Sequence, residues 1–242
     1  MIDPLLLSVV KVLTFNGEQP LTNATGFFFA RDEKLFLVTS RHVLWDKPSE
    51  HFPDIIRIEL HIDRNNVAEA VDFQIPLYRD GKSIWRQGSD SAGEIDVAVI
   101  EIDRSALPAN LTYRSFSLQH MPGTEHVAVG EPLLIVGFPL GFHDTLHHLP
   151  VARQAIIASC FGLRFEGQGY FLTDARTHRG MSGAPVVFRN RQADSSNSDL
   201  PWKLAGIHSA RLDVGTRDVV SDEALGLNCA WFADILLTLT ED

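Results

Sequence analysis

Apolar and polar residues alternate in short runs along most of the chain, which is the periodicity of β-strands. The clearest run is "IIRIELHI", in which Ile56, Ile58, Leu60 and Ile62 recur at every second position with polar residues between them. Side chains two residues apart lie on the same face of a strand. This segment therefore predicts a strand with one buried face and one exposed face.

Similar runs of apolar or β-branched residues recur along the chain, each bounded by Gly, Pro, Asp or Asn. They are "GFFFA", "LFLVTS", "VDFQI", "DVAVIEI", "PLLIVGF", "RQAIIAS", "GYFLT", "APVVF" and "LAGIHSA". The N-terminal segment "MIDPLLLSVVKVLTF" predicts a first strand. Many short strands separated by turn residues are typical of an all-β sandwich or barrel.

Helical periodicity is found near the end of the chain. In "NCAWFADILLTL", Trp231, Ile235 and Leu239 recur at helical spacing, which predicts one long C-terminal helix. The polar, turn-rich residues 104–126 divide the strands into two groups and are the predicted internal boundary. Residues 189–203 are predicted to form a solvated hairpin loop.

The charge balance excludes several classes of partner. The chain of 242 residues has 21 Lys and Arg against 31 Asp and Glu, a formal net charge of −10, and it contains no basic run. A nucleic-acid-binding role therefore has no electrostatic support, and an anionic membrane surface would repel the chain on average. No segment approaches the roughly 20 apolar residues of a membrane span.

Cysteine content and the N-terminal residues bear on location. The first residues have no positively charged region and no small-residue cleavage site, so they do not resemble a signal peptide. With only Cys160 and Cys229 present, a reducing, cytoplasmic location is predicted. A leader removed from the chain would make the location periplasmic or extracellular. Both cysteines lie in apolar runs and are predicted to be core thiols, although the sequence leaves a disulfide between them open.

Three polar residues lie at the ends of predicted strands. His42 follows the strand "LFLVTS", Asp96 lies near the start of "DVAVIEI", and Ser182 lies between glycines in "RGMSGAPVV". Taken singly, each is an ordinary turn or surface residue. Together they form the set that nucleophilic catalysis requires: a hydroxyl, an imidazole that takes its proton, and a carboxylate that fixes the imidazole tautomer.

The same three segments carry a family resemblance. "TGFFFARDEKLFLVTSRHVL", "DVAVIEI" and "RGMSGAPVV" resemble the signature blocks of the trypsin/chymotrypsin-like serine peptidase superfamily, in particular its bacterial and HtrA-type members. "LLIVGFPLG" and "RQAIIAS" are similar to further segments of that group. The resemblance implies two six-stranded antiparallel β-barrels with a C-terminal α-helix. Residues 1–115 would form the barrel that carries His42 and Asp96, and residues 116–242 the barrel that carries Ser182.

The resemblance also implies a role for each residue. Ser182 would be the nucleophile, His42 the general base and then acid, and Asp96 the carboxylate that orients His42. The backbone N–H groups of Gly180 and Ser182 would form the oxyanion hole. Asp103 is the competing carboxylate, but it follows the apolar run rather than opening it.

Met181 departs from the pattern of members that are activated by proteolysis. Those members have an Asp at this position, and it pairs with a newly cleaved N-terminal amine. A methionine has no charge for such a pair. We therefore predict no zymogen activation, so that packing, a partner or the substrate must hold the oxyanion loop.

The residues that would line the primary specificity pocket are not those of a trypsin. Arg176 stands where an Asp would select Lys or Arg, followed by Thr177, and the facing strand carries His208, Ser209 and Arg211. The Thr and His resemble the pockets of glutamyl endopeptidases and viral 3C-type proteases, which take Glu or Gln before the cut. Two alternatives stay open: an acidic or amide side chain, or a small or apolar one.

Other histidines offer weaker candidates. His143 and His147 have the i, i+4 spacing that a helical metal site uses, and His148 follows, but the segment is rich in turn residues. A surface loop is favoured over a metal site. His178 lies beside the active-site turn, where either substrate contact or solvent exposure fits the sequence.

The sequence predicts a serine endopeptidase that needs no metal or cofactor and acts on peptides or proteins, with a regulatory partner or a fused domain as a further possibility. The alternative from another class is a catalytically silent trypsin-like module that binds peptides or partners. An esterase is disfavoured because "GMSGAP" leads into a strand rather than a strand-to-helix elbow.

Overall fold

The computed structural model describes residues 2–122, 127–190, 200–211 and 226–241, with the side chain of Arg211 left out. Nearly all of its regular structure is β, and the first half of the chain contains ten strands. They are β1 (Val9–Asn16), β2 (Gln19–Arg31), β3 (Lys34–Thr39), β4 (Ile55–His61), β5 (Ala70–Pro76), β6 (Tyr78–Arg79), β7 (Lys82–Ser83), β8 (Trp85–Asp90), β9 (Gly93–Ile102) and β10 (Phe116–Ser117).

The second half adds six strands, β11 (Pro132–Gly137), β12 (Val151–Ile157), β13 (Tyr170–Asp174), β14 (Pro185–Arg189), β15 (Trp202–Arg211) and β16 (Leu227–Phe232). Two short α-helices are described, α1 (Arg41–Leu44) and α2 (Ile235–Leu239). Among the described residues, no helix is long and apolar enough to cross a membrane.

The first half folds into an eight-stranded sheet with the order β5-β4-β1-β2-β3-β9-β8, in which β10 pairs with β2. Six of these strands were predicted; β8 and β10 are additional. The sequence of β8, "WRQGSD", is mostly polar because this edge strand is only partly buried. The two residues of β10 are too few for a periodic pattern, and they pair in parallel with β2. Neither strand has a signal that a hydrophobic pattern could detect.

The second half forms the closed six-stranded barrel β11-β12-β13-β16-β15-β14, and every adjacent pair is antiparallel. This confirms the predicted all-β class, the six-stranded antiparallel barrel of the second half and the C-terminal helix. The first half was predicted as a six-stranded antiparallel barrel, but its sheet has eight strands and β10 joins it in parallel. The barrel interior is apolar and contains Ile135, Phe171, Met181 and Ala230. The division at residues 115 and 116 stays a prediction; β10 lies just beyond it and pairs with the first half.

The prediction of one long C-terminal helix was wrong for its first part. Asn228 to Phe232 belong to β16, which pairs with both β13 and β15 and closes the barrel. The helical spacing of Trp231, Ile235 and Leu239 arises because both elements pack their apolar residues into the same core, between the two halves. Long-range strand pairing has overridden the local periodicity.

The alternation predicted for "IIRIELHI" is confirmed for β4, where Ile56, Ile58 and Leu60 are buried. His61 was expected on the polar face but is also buried. Its Nε2 lies 2.8 Å from the carbonyl oxygen of His147. The loop between β11 and β12 therefore covers this end of the first sheet.

Candidate active site

His42 and Asp96 are brought together by the pairing of β3 with β9. Thr39 of β3 lies opposite Ala98 of β9. His42, three residues beyond Thr39 in helix α1, therefore lies beside Asp96. Asp96 Oδ2 is 2.7 Å from His42 Nδ1, and Asp96 Oδ1 accepts the backbone N–H of His42 at 2.8 Å. With Nδ1–H donating to the carboxylate, the other ring nitrogen, Nε2, is free to act as a base.

The two side chains shift each other's pKa. Burial alone lowers the pKa of His42, but the hydrogen bond and the negative charge of Asp96 outweigh it, so the net shift is upward from 6.5. Burial alone raises the pKa of Asp96. The hydrogen bond and positive charge of His42, with the Ser209 hydroxyl, reverse this, and its pKa is lowered. Asp96 is therefore an anion at neutral pH and stabilises a protonated His42.

Asp103, the competing carboxylate, lies away from this pair. Its Oδ1 accepts the backbone N–H and the hydroxyl of Ser105 and caps a short 3₁₀ turn. These local bonds account for its position after the apolar run. The geometry favours Asp96 as the partner of His42.

Ser182 lies in the turn that precedes β14, and Ser209 links it to the other two residues. The Ser182 hydroxyl donates to the carbonyl oxygen of Ser209 at 3.1 Å, and the Ser209 hydroxyl donates to Asp96 Oδ2 at 2.5 Å. Within the described part of the chain, the Ser182 hydroxyl makes no hydrogen bond to His42. Rotation of a serine about χ1 redirects its hydroxyl at little cost, and such bonds often tighten only when substrate binds.

The backbone before Ser182 presents two N–H groups without a described acceptor, those of Gly180 and Ser182. The carbonyl of Arg179 accepts the N–H of Leu140. In a trans peptide the carbonyl and the N–H point in opposite directions, so the N–H of Gly180 points away from Leu140. Gly180 has φ +93°, a conformation that favours glycine. Two unpaired donors beside a hydroxyl are what an oxyanion hole requires.

The turn that carries Ser182 is also held by packing. Met181 is fully buried in the barrel core beside Phe171 and Ala184. Gly183 has φ +85°, and a Cβ there would lie 2.2 Å from the carbonyl oxygen of Thr25. The turn is therefore pressed against β2 and is filled by an apolar side chain where activated zymogens have a charge. The absence of zymogen activation stays a prediction.

The residues predicted to line the specificity pocket separate into two groups. Thr177, His208 and Ser209 are buried, whereas Arg176 is exposed. The side chain of Arg211 lies outside the described residues. Asn228 also belongs to the buried group, and its Oδ1 accepts a hydrogen bond from the Thr177 hydroxyl at 2.5 Å.

Burial and the nearby charge of His42 lower the pKa of His208 to about 4, so its ring is neutral at pH 7. The backbone of His208 is bonded to the nucleophile turn, since its carbonyl accepts the N–H of Gly183 at 2.8 Å. The backbone of His208 is thus bonded next to Ser182.

The histidine-rich loop makes contacts within itself and contacts with the first half. His143 Nδ1 lies 2.6 Å from the carbonyl oxygen of Gly141, His147 pairs with Asp144, and His148 lies 3.3 Å from Glu59. Among the described residues, no group of three or more His, Cys, Asp or Glu is arranged to hold a metal ion. His178 is half-buried, and its carbonyl accepts the N–H of Met181.

The cysteines differ from each other. Cys229 is buried in β16, as predicted, but Cys160 is exposed in the loop after β12, so its prediction as a core thiol was wrong. The apolar run "RQAIIAS" ends before Cys160, and the chain turns there. The two thiols are not joined in a disulfide.

Sequence reasoning missed three contributors to the site. The Ser209 hydroxyl binds Asp96, although Ser209 was predicted only as a residue of the specificity pocket; Asn228 binds Thr177; and Thr25 contacts the nucleophile turn. Each is a small polar residue inside an apolar strand, and that placement is the one signal that the sequence offered.

Comparison with known families is consistent with this geometry. The sequence profile described as the trypsin-like peptidase domain matches residues 24–193. The chain is 24% identical over 184 residues to the mitochondrial serine protease HTRA2 of Drosophila pseudoobscura pseudoobscura, and equally to that of Drosophila persimilis. Each match covers 76% of this chain and 36% of the relative. The chain therefore spans about a third of the length of the curated relatives it matches.

Solved structures show the same fold. The HtrA-type protease AlgWS227A with tripeptide aligns with a TM-score of 0.57 at 18% identity, over 97% of this chain and 59% of that one. A serine endoprotease from Yersinia pestis aligns with a TM-score of 0.54 at 18% identity, over 97% and 62%. These matches show that the chain has the fold of HtrA-type proteases, and the sequence profile confirms the resemblance to trypsin-like peptidases.

Proposed function

The chain belongs to the trypsin-like peptidase family, and from that membership we propose that it is a serine endopeptidase that forms an acyl-enzyme on Ser182. The observation that carries the proposal is the pairing of both Asp96 oxygens with His42, beside a turn that presents two unpaired N–H groups. A buried carboxylate and unpaired backbone donors are costly to a fold that does not use them.

Each step of the reaction has a residue to perform it. Ser182 Oγ attacks the carbonyl carbon of the scissile bond while His42 Nε2 accepts the hydroxyl proton. The oxyanion that forms is bound by the N–H groups of Gly180 and Ser182. His42 then gives its proton to the leaving amine, and the acyl-enzyme results. A water molecule then gives a proton to His42 Nε2 and attacks the acyl carbon. The bond from that carbon to Ser182 Oγ breaks, His42 returns the proton to Oγ, and the acid product leaves.

The second candidate is a catalytically silent module that binds peptides or partners. It is favoured by one observation, the hydrogen bond of the Ser182 hydroxyl to Ser209 rather than to His42. A silent module has no use for the carboxylate–imidazole pair, which argues for the enzyme. Turnover of any peptide that depends on Ser182 decides between the two.

The barrel end beneath Ser182 bears on the residue before the cut. His208 lies opposite Ala230, and Thr173 lies opposite Asn228. Opposite residues share a face, and Ala230 faces the barrel interior. The side chains of His208, Asn228 and Thr173 therefore also point into the barrel. His208 Nδ1 and Thr173 Oγ1 have no hydrogen-bond partner among the described residues. We infer that these two atoms form hydrogen bonds to a polar side chain of the substrate.

The charge of this pocket favours an amide over a carboxylate. The described side chains at the barrel end are neutral, and Arg176 is exposed. A buried carboxylate without a cation is costly, whereas an amide can use neutral donors and acceptors. Within the predicted preference for Glu or Gln before the cut, we therefore expect Gln.

A peptide library tests both the activity and this preference. We expect cleavage by the wild-type chain and none by Ser182→Ala, with Gln before the cut preferred about tenfold or more over Glu, since each unpaired buried charge costs at least 1–3 kcal/mol. The measurement is mass spectrometry of the cleaved products with kcat/KM for matched Gln, Glu and Leu peptides. A preference for Glu or Leu would contradict the pocket, and equal cleavage by Ser182→Ala would contradict the enzyme.

The pH dependence of the reaction follows from His42. The base must be neutral to accept a proton, so activity is present above the pKa of His42 and is lost as the pH falls through it. Because this pKa is raised, we expect the acidic limb of kcat/KM to have its midpoint above 6.5. Below it, kcat/KM falls about tenfold per pH unit. A midpoint below 6.5 in a pH–rate profile would mean that Asp96 does not act on His42.

Location and partners remain part of the proposal. The unpaired state of Cys160 and Cys229 supports a reducing, cytoplasmic compartment. The substrate is a peptide or protein. Since the relatives are longer than this chain, a regulatory partner or fused domain is included in the proposal.

A further inference from the structure

We infer that Thr25 is a positioning residue that fixes the oxyanion hole from the neighbouring sheet. This inference rests on the proposed function, because it concerns how the oxyanion donors are aimed. Thr25 is in β2, in the first half of the chain, and is fully buried. The turn that it contacts belongs to the second half, so the site depends on a bond between the two.

One hydroxyl makes two bonds there. Thr25 Oγ1 donates to the carbonyl oxygen of Gly180 at 2.7 Å and accepts the backbone N–H of Phe138 at 3.1 Å. The backbone N–H of Thr25 donates to the carbonyl oxygen of Ser182 at 2.9 Å. Thr25 therefore holds the carbonyls of both residues whose N–H groups form the proposed oxyanion hole.

These bonds fix the direction of the Gly180 N–H. The peptide before Gly180 is held through the Arg179 carbonyl by Leu140. The peptide after it is held through the Gly180 carbonyl by Thr25 and through the Met181 N–H by the carbonyl of His178. Two adjacent peptide planes determine φ and ψ of the residue between them. With both planes bonded, Gly180 is kept at φ +93°.

Both of these anchors depend on the same hydroxyl. Leu140 is two residues from Phe138, whose N–H is bonded to Thr25 Oγ1. Removal of the hydroxyl would leave the Gly180 carbonyl and the Phe138 N–H without a partner, and both would have to seek new ones. The loop that holds Arg179 would be released together with the turn that carries Gly180.

The apolar residue at position 181 makes this role necessary. The side chain of Met181 fills the barrel core by packing, and packing does not direct a peptide plane as a hydrogen bond does. The Gly180–Met181 peptide is instead directed by two hydrogen bonds, from the Thr25 hydroxyl to the Gly180 carbonyl and from the Met181 N–H to the His178 carbonyl, and the first of these comes from the neighbouring sheet.

The test compares variants that differ in the hydroxyl. Thr25→Val keeps the shape but removes the hydroxyl, and Thr25→Ser keeps the hydroxyl. Thr14→Val is the matched control, because Thr14 is another fully buried threonine whose hydroxyl bonds within the sheet, to Thr22, away from the site. The measurements are kcat and KM on one cleaved peptide and a thermal melt of each variant.

We expect Thr25→Val to lower kcat about 10- to 100-fold, somewhat less than removal of an oxyanion donor, with KM within about twofold of the wild type. Thr25→Ser should keep kcat within about threefold, and Thr14→Val should leave kcat unchanged even if its melting temperature falls. A Thr25→Val enzyme with normal kcat, or a loss confined to KM, would overturn the inference.

Two further results are informative. If Thr25→Val does not fold, the pair Thr25→Ala and Thr25→Ser replaces it, since these variants both lack the methyl group and differ in the hydroxyl; equal kcat values would overturn the role. If the wild type is active and Thr25→Val has the same kcat, this inference is wrong but the proposed function stands. No turnover by the wild type overturns the proposed function, and this role with it.

Discussion

Replacing Asp96 by asparagine is expected to lower kcat by about 10⁴-fold while the protein stays folded, as in other enzymes with this set of groups. The side-chain amide has one oxygen in place of two, and its NH₂ group turned toward the ring would force Nδ1 to accept rather than donate. The proton would then lie on Nε2, which could no longer take the proton of Ser182. The measurement is kcat on a cleaved peptide, with a thermal melt to establish folding.

Asp103→Asn is the control for this variant. Asp103 directly follows the same strand and was the competing candidate, but its bonds are to Ser105. We expect its kcat to equal that of the wild type. If the effects were reversed, with Asp96→Asn near normal and Asp103→Asn inactive, the assignment of the orienting carboxylate would be wrong.

Replacing Gly180 by alanine is expected to lower kcat by about 10²- to 10³-fold, the loss that follows removal of an oxyanion donor. A Cβ at this position would lie 2.4 Å from the carbonyl oxygen of Phe138 and 2.6 Å from Asn23 Oδ1. The Phe138 atom belongs to the backbone and has little freedom to yield, so the turn must move and carry the Gly180 N–H away from the oxyanion. The measurement is kcat with KM on the same peptide.

Gly130→Ala separates this displacement from backbone strain. Gly130 has φ +85°, close to the φ of Gly180, but a Cβ there has no atom within 4 Å. We expect Gly130→Ala to lower the melting temperature with little change in kcat. A Gly180→Ala enzyme as active as Gly130→Ala would show that the Gly180 N–H does not stabilise the transition state.

The strands that were predicted correctly share one property: each buries an apolar face whose pattern is visible in its own residues. Ile56, Ile58 and Leu60 of β4 are an example. Strand β8 has no such pattern, because at the edge of the sheet it is only partly buried. The C-terminal segment had a misleading pattern. Strand β16 and helix α2 pack into the same core, and their apolar residues happen to fall at helical spacing.

The three residues of the candidate site were predictable from their order in the sequence and from the apolar strands next to them. His42, Asp96 and Ser182 each end or open an apolar strand, and the register of β3 with β9 brings the first two into contact. The partner of the Ser182 hydroxyl was not predictable, because it depends on a bond to Ser209, which is distant in the sequence.

The central claim is that Ser182 is an activated nucleophile beside a formed oxyanion hole, and labelling with a fluorophosphonate tests it most directly. The purified chain, not treated with any protease, is incubated with the probe, and the adduct is located by peptide mass spectrometry, with Ser182→Ala as the control. The account predicts one adduct, on Ser182, and none in the control. A folded wild-type chain that takes up no label, or labels equally in Ser182→Ala, would contradict it.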